Sequence, residues 1–526
     1  MSVRKILLFI WSCLLLLALL ALVFPQDAIS LGKTKLRFPD LQTFLSPSTA
    51  DDAQVAAPSP EEQLAKMAKA LEMKQLSALA DSLDFYQQLF ASASASIQFP
   101  RNDASLFDAF FSAMEQAQSE GKVVRVLHYG DSQIEQDRIT SSLRGNWQSR
   151  FGGSGCGLVP AIQMVQTPYL KQEYNGDLQR YLVFGLPSDR VEHKQYGPMA
   201  QFARVEDSAR VILMPRHYRQ PPFRNEATQI RVLVGNYQPG FRAVLHANGR
   251  YLTQTLPDSS AALQVLTWQL DEPLSVVDLS FWGSADIQAI ALDARAGVAV
   301  DNIPMRGCSG TIFTSIHRAS LREAYDLLQP RLIILEFGGN RMPSIRSQSD
   351  IDVYMRYLAA QIRYLKKLLP QAVMLFIGPA DMARSVEGQV QTYPYLEEMI
   401  DALRTLCMEN QVAFWDMYRV MGGRNTIIEW TKTQPPLAAT DYIHFSRQGA
   451  DRIAALLNRS FDLCYDYYCF RRRHINDSTL LQISRLDSTR NYQRDWEEML
   501  EASRSDSLLW QALENGLDSL QLNMDL

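Results

Sequence analysis

VLHYGDSQIEQDRIT, residues 126–140, is a run of strand-forming residues that ends in Gly-Asp-Ser and then turns polar and helix-favouring. A serine placed there stands at the edge of a sheet, beside the N-terminus of a helix, with its hydroxyl exposed. An α/β enzyme puts a nucleophile at such a point. Ser and Asp are also ordinary N-cap residues, so the tripeptide takes its meaning from the rest of the chain.

Downstream the texture repeats. LIILEFGGN (332–340) and AVMLFIGP (372–379) are continuous apolar runs that end in glycine, and VAFWDM (412–417) is a shorter one. Amphipathic stretches such as DVYMRYLAAQIRYLKKLL follow. Buried apolar strands alternating with helices predict a parallel sheet covered on both faces. Between 166 and 299 the pattern differs: ARVILMP, TQIRVLVGNY, FRAVLHAN and LSVVDLSFWG are short strands with turn residues between them and almost no helix. That predicts an all-β, jelly-roll-like insertion. The α/β domain is therefore split into 121–165 and 300–465.

The flanks complete the organisation. MSVRK precedes an uncharged apolar run at residues 6–24, long enough to span a bilayer. No good cleavage site follows, so residues 1–24 read as a transmembrane signal-anchor; a cleaved signal peptide is the alternative. The bulk of the chain then lies outside the cytoplasm, as a single-pass protein of the inner (cytoplasmic) membrane facing the periplasm. Residues 25–60, rich in Pro, Ser, Asp and Ala, read as a flexible tether. Residues 61–120 show helical spacing, as does a polar C-terminal tail at 466–526.

Composition excludes some functions. The 526-residue chain carries a net charge of −5, so it lacks the basic footprint of a nucleic-acid binder. Its six cysteines do not form a disulfide framework. Cys464 and Cys469 form a local disulfide or remain two free thiols, and with His474 they do not complete a tetrahedral metal site.

In an open parallel sheet, ligands gather at the C-terminal strand ends. Those ends hold Gly130-Asp131-Ser132, Gly338-Gly339-Asn340 and the turn DNIPMRGCSGT with Gly307 and Gly310. The late loop ATDYIHFSRQGADR adds Asp441 and His444. A serine hydroxyl needs a base to take its proton, and histidine serves when a carboxylate orients its ring. The tetrahedral intermediate then needs donors for its oxyanion.

These residues, in this order, resemble the SGNH/GDSL hydrolase family of serine esterases and acyl-transfer enzymes. GDS at 130–132, the glycine of N-x-x-x-x-G (Asn302 to Gly307), GGNR at 338–341 and DYIH at 441–444 are similar to its sequence blocks. The resemblance covers residues 122–165 and 300–460. It implies a flavodoxin-like sheet and a triad of Ser132, Asp441 and His444. It also implies an oxyanion hole of Ser132, Gly307 and Asn340, with Gly310 competing for the glycine's place. Arg341 stands where the family often has Asp. Asp131, Gly339 and Glu135 are candidate substrate contacts, and no metal or cofactor is required. Family members with a jelly-roll insert look like enzymes of cell-envelope polysaccharide acetylation and deacetylation. The expected partners are an acetylated or acetyl-accepting glycan and a membrane-bound O-acyltransferase. Water as acceptor makes an O-acetylesterase, and a sugar hydroxyl makes an O-acetyltransferase. The competing function is a non-catalytic carbohydrate-binding protein on the same fold. Trp268, Trp282, Tyr237 and Phe241 are core or a sugar-stacking face. His128 and His317 read as structural, Arg138 as solvated or capping, and Asp381 and Asp416 as further strand-end carboxylates.

Overall fold

The computed structural model describes residues 60–92, 97–216, 225–258, 261–386 and 388–487, with short pieces between residues 9 and 36. Contacts divide the chain into two units, residues 1–75 and 76–526. In the first, the stretch expected to be a tether contains a small antiparallel hairpin, β1 (Ile29–Leu31) with β2 (Thr34–Leu36). The span expected at 1–24 lies largely outside the described residues, and no described helix is long and apolar enough to cross a membrane. Helix α1 covers Pro60–Ser92.

The second unit is built on five parallel strands. In chain order its elements begin with α2 (Asp108–Gln116), β3 (Val123–Gly130) and α3 (Thr140–Phe151). Nine antiparallel strands follow, from β4 (Gly157–Val159), β5 (Leu170–Leu182) and β6 (Gln201–Pro215) through β7 (Ala227–Gly235), β8 (Arg242–Ala247) and β9 (Arg250–Thr255). β10 (Leu263–Leu274), β11 (Val277–Trp282) and β12 (Ala285–Asp293) complete that set. Then come β13 (Gly297–Pro304), α4 (Arg318–Leu328), β14 (Pro330–Glu336), α5 (Gln348–Leu368) and β15 (Val373–Ile377). A small hairpin, β16 (Ala383–Val386) and β17 (Gln389–Thr392), precedes α6 (Leu396–Glu409) and β18 (Ala413–Trp415). Short helices α7 (Met417–Met421) and α8 (Thr426–Trp430) lead to the long α9 (Arg447–His474) and to α10 (Asp477–Asp487).

The parallel sheet runs β13-β3-β14-β15-β18. Counted along the parallel strands alone this is the 2-1-3-4-5 order of flavodoxin-like folds, which puts the topological switch point between β3 and β14. Period-two alternation sorts the strand residues onto two faces. Leu127, Tyr129, Ile333, Leu335, Met374 and Phe376 pack with α4, α5 and α6. Val124, Val126, Leu332, Ile334, Leu375 and Ile377 pack with α2, α3 and α9. The segment expected to be a helical flank at 61–120 is thus partly core. Phe107 stacks on Phe461 of α9 at 6.0 Å, and Arg471 of α9 pairs with Asp108. Cys464 and Cys469, both on α9, are free thiols.

The inserted strands form one continuous antiparallel sheet rather than two separate ones. Its main path runs β10-β7-β12-β6-β11-β8-β9, with β4 on β12 and β5 on β6. Val205, Val211, Val232, Leu245, Phe281 and Leu292 make a core of its own. Phe241 and Trp268 belong to that core, and Trp282 is the exposed member of the expected aromatic face. Tyr237 donates its hydroxyl to Pro257 O at 2.7 Å. The insertion is also wider than expected, since β4 already belongs to it. It is not an independent bead either, because Met199, Phe202 and Leu233 join the core on the α4–α6 face of the parallel sheet.

One polar clamp spans the two sheets. Arg125 of β3, wholly buried, donates to Asp301 of β13 at 2.6 Å and to Asp293 of β12, while Asp301 accepts the Leu158 amide of β4 at 2.7 Å. Arg231 of β7 reaches Asp293 at 3.1 Å. Removing one partner strands an opposite charge in a low-dielectric interior. Asp301→Ala is therefore expected to cost about 3–5 kcal/mol in urea unfolding. The exposed Arg210–Asp278 pair makes the comparison: Arg210→Ala should cost under about 1 kcal/mol. Similar losses for both variants would show that the clamp does not carry the junction.

Candidate active site

The β3 strand stops at Gly130 because the chain must pass close to its neighbours. A Cβ there would lie 2.9 Å from Ile134 Cδ1 and 3.3 Å from Glu336 Cβ. Asp131 follows, and its carboxylate caps the next turn by accepting the Gln133 amide at 2.9 Å. Ser132 thus begins a short 3-10 segment, Ser132–Asp137, at the C-terminal edge of the sheet.

The histidine arrives on a loop whose shape is set by its own aspartate. Asp441 Oδ1 accepts the amides of Ile443 and His444 at 2.9 and 3.0 Å. Its Oδ2 lies 2.7 Å from His444 Nδ1. The loop is fixed at its far side by Ser446, which caps α9. It is fixed to the nucleophile segment by Gln133, which donates to Ile443 O at 2.7 Å, and by Arg138, which donates to Phe445 O at 3.3 Å. His444 Nε2 then stands 2.8 Å from Ser132 Oγ. Sequence reasoning missed the tethering role of Gln133 and Arg138, since neither spacing nor residue type marks a residue that braces a loop 310 positions away.

Ser132, His444, Asn340, Gly339, Asp131 and Glu336 line one cavity of about 640 Å³, its open mouth included. Gly338 makes the turn before Asn340 at φ +128°, where a Cβ would press on Pro379 at 3.2 Å. Asn340 Nδ2 donates to Asp131 Oδ2 at 2.9 Å and to Cys308 O at 3.2 Å. Both amide hydrogens are thus engaged within the protein, and donation to an oxyanion requires one of them to be released.

Other expected contacts are placed differently. Gly307 is exposed, in a turn closed by the Cys308 amide on Met305 O at 2.9 Å, and is not among the residues lining this cavity. Gly310 packs against Phe337. Glu135 does not face the cavity, because Arg306 holds its carboxylate through two bonds of 2.7 and 2.6 Å. Asp416 caps α7 and pairs with Arg404, and Asp381 accepts from Thr392 and the Ile427 amide at 2.8 Å each. His128 is buried between Glu336 and Thr140, and His317 caps α4.

The electrostatics separate the carboxylates. Burial pushes Asp441 up, but the bonds from the His444 ring and from the His444 and Ile443 amides outweigh it, leaving the group below its ordinary range. Asp441 therefore stays ionised beside the imidazole. The arrangement can pass a proton from Ser132 Oγ to His444 Nε2 while Asp441 holds the ring from the other side. Asp131 goes the other way. Burial dominates, the Gln133 amide opposes it, and the nearby Glu336 charge adds to it, so the group is pushed up to about 7.

A raised carboxylate binds a proton in the folded chain that the unfolded chain has already lost. Asp131 thus makes stability fall as pH rises from about 4 to about 7, with no further change above that range. The loss in Tm between pH 4.5 and 7.5 should be smaller in Asp131→Asn than in the parent. An equal loss in the two proteins would remove Asp131 as its source.

A model of the GDSL-like lipase/acylhydrolase family matches residues 279–452, a span that holds Asn340, Asp441 and His444 but not Ser132. A solved structure titled as a peptidoglycan O-acetylesterase in action is similar over 69% of this chain and 98% of its own, with a TM-score of 0.56 and 22% identity. An acetyl xylan esterase (TM-score 0.24, 16% identity, 31% of this chain and 81% of its own) is also similar. So is a putative GDSL-like lipase from Parabacteroides merdae (0.24, 18%, 32% and 74%). No curated protein sequence matches the chain. With the serine–histidine–aspartate arrangement at the strand ends of a flavodoxin-like sheet, the family match leads to one conclusion: the chain carries a domain of the GDSL-like lipase/acylhydrolase family and is an ester-hydrolysing enzyme.

Proposed function

We propose that the enzyme acts on O-acetyl esters of a cell-envelope glycan through an acyl-serine intermediate. The observation that carries this reading is the unbroken relay from Ser132 Oγ to His444 Nε2 (2.8 Å) to Asp441 (2.7 Å) in a cavity at the sheet's switch point. Ser132 attacks the acetyl carbonyl as His444 takes its proton, and Asp441 stabilises the imidazolium. The sugar oxygen leaves with that proton, and the acetyl group stays on Ser132. In the second half, water or another sugar hydroxyl gives its proton to His444 and takes the acetyl group, which makes the enzyme an O-acetylesterase or an O-acetyltransferase. The Ser132 amide and Asn340 are the proposed oxyanion donors.

The glycan reading draws support from the similarity to a peptidoglycan O-acetylesterase along most of the chain. The nine-stranded sheet, which we read as a carbohydrate-binding insertion, is consistent with it. The charge-free run at 6–24 behind Arg4 and Lys5 supports an anchor in the cytoplasmic membrane with the enzyme facing the periplasm. A membrane-bound O-acyltransferase that delivers acetyl groups is the proposed partner under the transferase form.

The test is p-nitrophenyl acetate turnover by the full chain, with an acetyl-accepting sugar oligomer in a parallel reaction. Ser132→Ala and His444→Ala should each lose about 10³-fold or more, and Asp441→Asn about 10²- to 10⁴-fold. Acetate alone identifies an esterase, and acetyl on the oligomer a transferase. Wild type no faster than Ser132→Ala would favour the carbohydrate-binding protein instead.

A further inference from the structure

The space beside Ser132 is not symmetrical. The parallel sheet runs β13-β3-β14-β15-β18, and the antiparallel sheet is clamped to it at the β13 edge, where Asp301 accepts the Leu158 amide of β4 at 2.7 Å. The catalytic cavity extends the other way. It starts at Ser132 after β3 and crosses the end of β14 at Gly339 and Pro343. It then reaches Ala380 and Met382 after β15 and Met417 after β18.

Polarity divides along the same line. Asp131, Glu336, Asn340 and His444 line the end of the cavity at β3 and β14. The strands at its far end carry two more carboxylates, but both are engaged outside it. Asp381 accepts from Thr392 and the Ile427 amide, and Asp416 accepts the Arg419 amide and pairs with Arg404. Their neighbours Ala380, Met382 and Met417 line the cavity instead. The hydroxyls of a sugar would lose their water there without side-chain partners, whereas an alkyl chain gains by leaving water.

The floor between the two ends is bare. A Cβ placed on Gly339 would lie 3.7 Å from Asp131 Oδ2 and 3.9 Å from Met382 Sδ. The path from the nucleophile's neighbour to the methionine therefore runs over a residue without a side chain. Methionine is unbranched and adapts to irregular gaps, so Met382 and Met417 can yield to chains of different length. As room for water-sized groups, the cavity measures about 130 Å³. An apolar cavity of about 150 Å³ takes a benzene ring. The space thus exceeds what the single methyl of an acetyl group fills.

We propose that this apolar end is an acyl pocket for straight chains of up to three or four carbons, so that esters of propionate and butyrate are substrates as well as those of acetate. The acyl carbonyl sits at Ser132, its chain runs over Gly339 towards Met382 and Met417, and the alcohol leaves on the β13 side. Ser132 Oγ bonds to the carbonyl carbon as His444 takes its proton, and the ester C–O bond breaks as that proton passes to the leaving oxygen. Water then releases the carboxylic acid. The proposal rests on the acyl-serine reading above and names the acyl groups that it accepts.

The test is hydrolysis of p-nitrophenyl acetate, propionate, butyrate and octanoate by the full chain, with Ser132→Ala beside it. From acetate to butyrate kcat/KM is expected to rise, by up to about fourfold for each methylene, and to fall at octanoate. Two variants change the pocket in opposite directions. Gly339→Ala adds a methyl at ordinary contact distance and should lower the butyrate-to-acetate ratio by about fourfold. Met382→Ala shortens the far wall and should raise the octanoate-to-acetate ratio by about tenfold or more. Ratios taken on one preparation do not move when part of it is unfolded. Serine-dependent turnover that falls steadily from acetate to butyrate, or ratios unchanged in both variants, would overturn the pocket and leave the acyl-serine reading standing. A parent no faster than Ser132→Ala on every ester would remove both.

Discussion

The contact between Ser132 Oγ and His444 Nε2 joins residues 312 positions apart, and much of the surrounding structure serves to hold it. Neither side chain is fixed by its own element alone. Ser132 is aimed by the end of β3, where Gly130 lets Ile134 and Glu336 close in, and by the Asp131 cap. His444 is aimed by a loop that Asp441 folds around its backbone and that Gln133 grips from the nucleophile's own turn. The base thus follows the nucleophile as a unit. Gln133 and Arg138, both from the nucleophile's own turn, brace the histidine loop at Ile443 and Phe445.

Strand ends were the legible part of this molecule. Apolar runs that stop at glycine announced β3, β14 and β15. The resemblance of GDS, GGN and DYIH to known blocks located the residues that meet in one cavity. Local pattern suffices there because a parallel strand is buried on both faces and its composition says so. The switch from helical to short-strand texture marked the insertion for the same reason, although its first strand, Gly157–Val159, was too short to stand out.

What stayed illegible depends on contacts far apart in the chain. Glu135 looks like a substrate contact by its position three residues after Ser132, but Arg306 claims it from across the site. The residues around Phe107 have the spacing of any amphipathic helix, and nothing local says that they fill the gap between β18 and α9. Gly307 fits the family spacing, yet the turn it occupies is shaped by the Met305–Cys308 bond and leaves it at the surface. For Glu135 and the residues around Phe107 a tertiary partner, not a propensity, decides the outcome, whereas Gly307 is placed by its own turn.

The first and last strands of the insertion are hydrogen-bonded to each other: Val159 sits opposite Ile290 and Gly157 opposite Leu292. The chain therefore leaves the parallel sheet and returns to it at nearly the same place. Closing that long excursion costs the sheet little, because the return is fixed inside the excursion itself. Such a junction behaves as a socket. A lineage could exchange the whole antiparallel module for another whose ends pair in the same way, while the hydrolytic half beneath it folds as before.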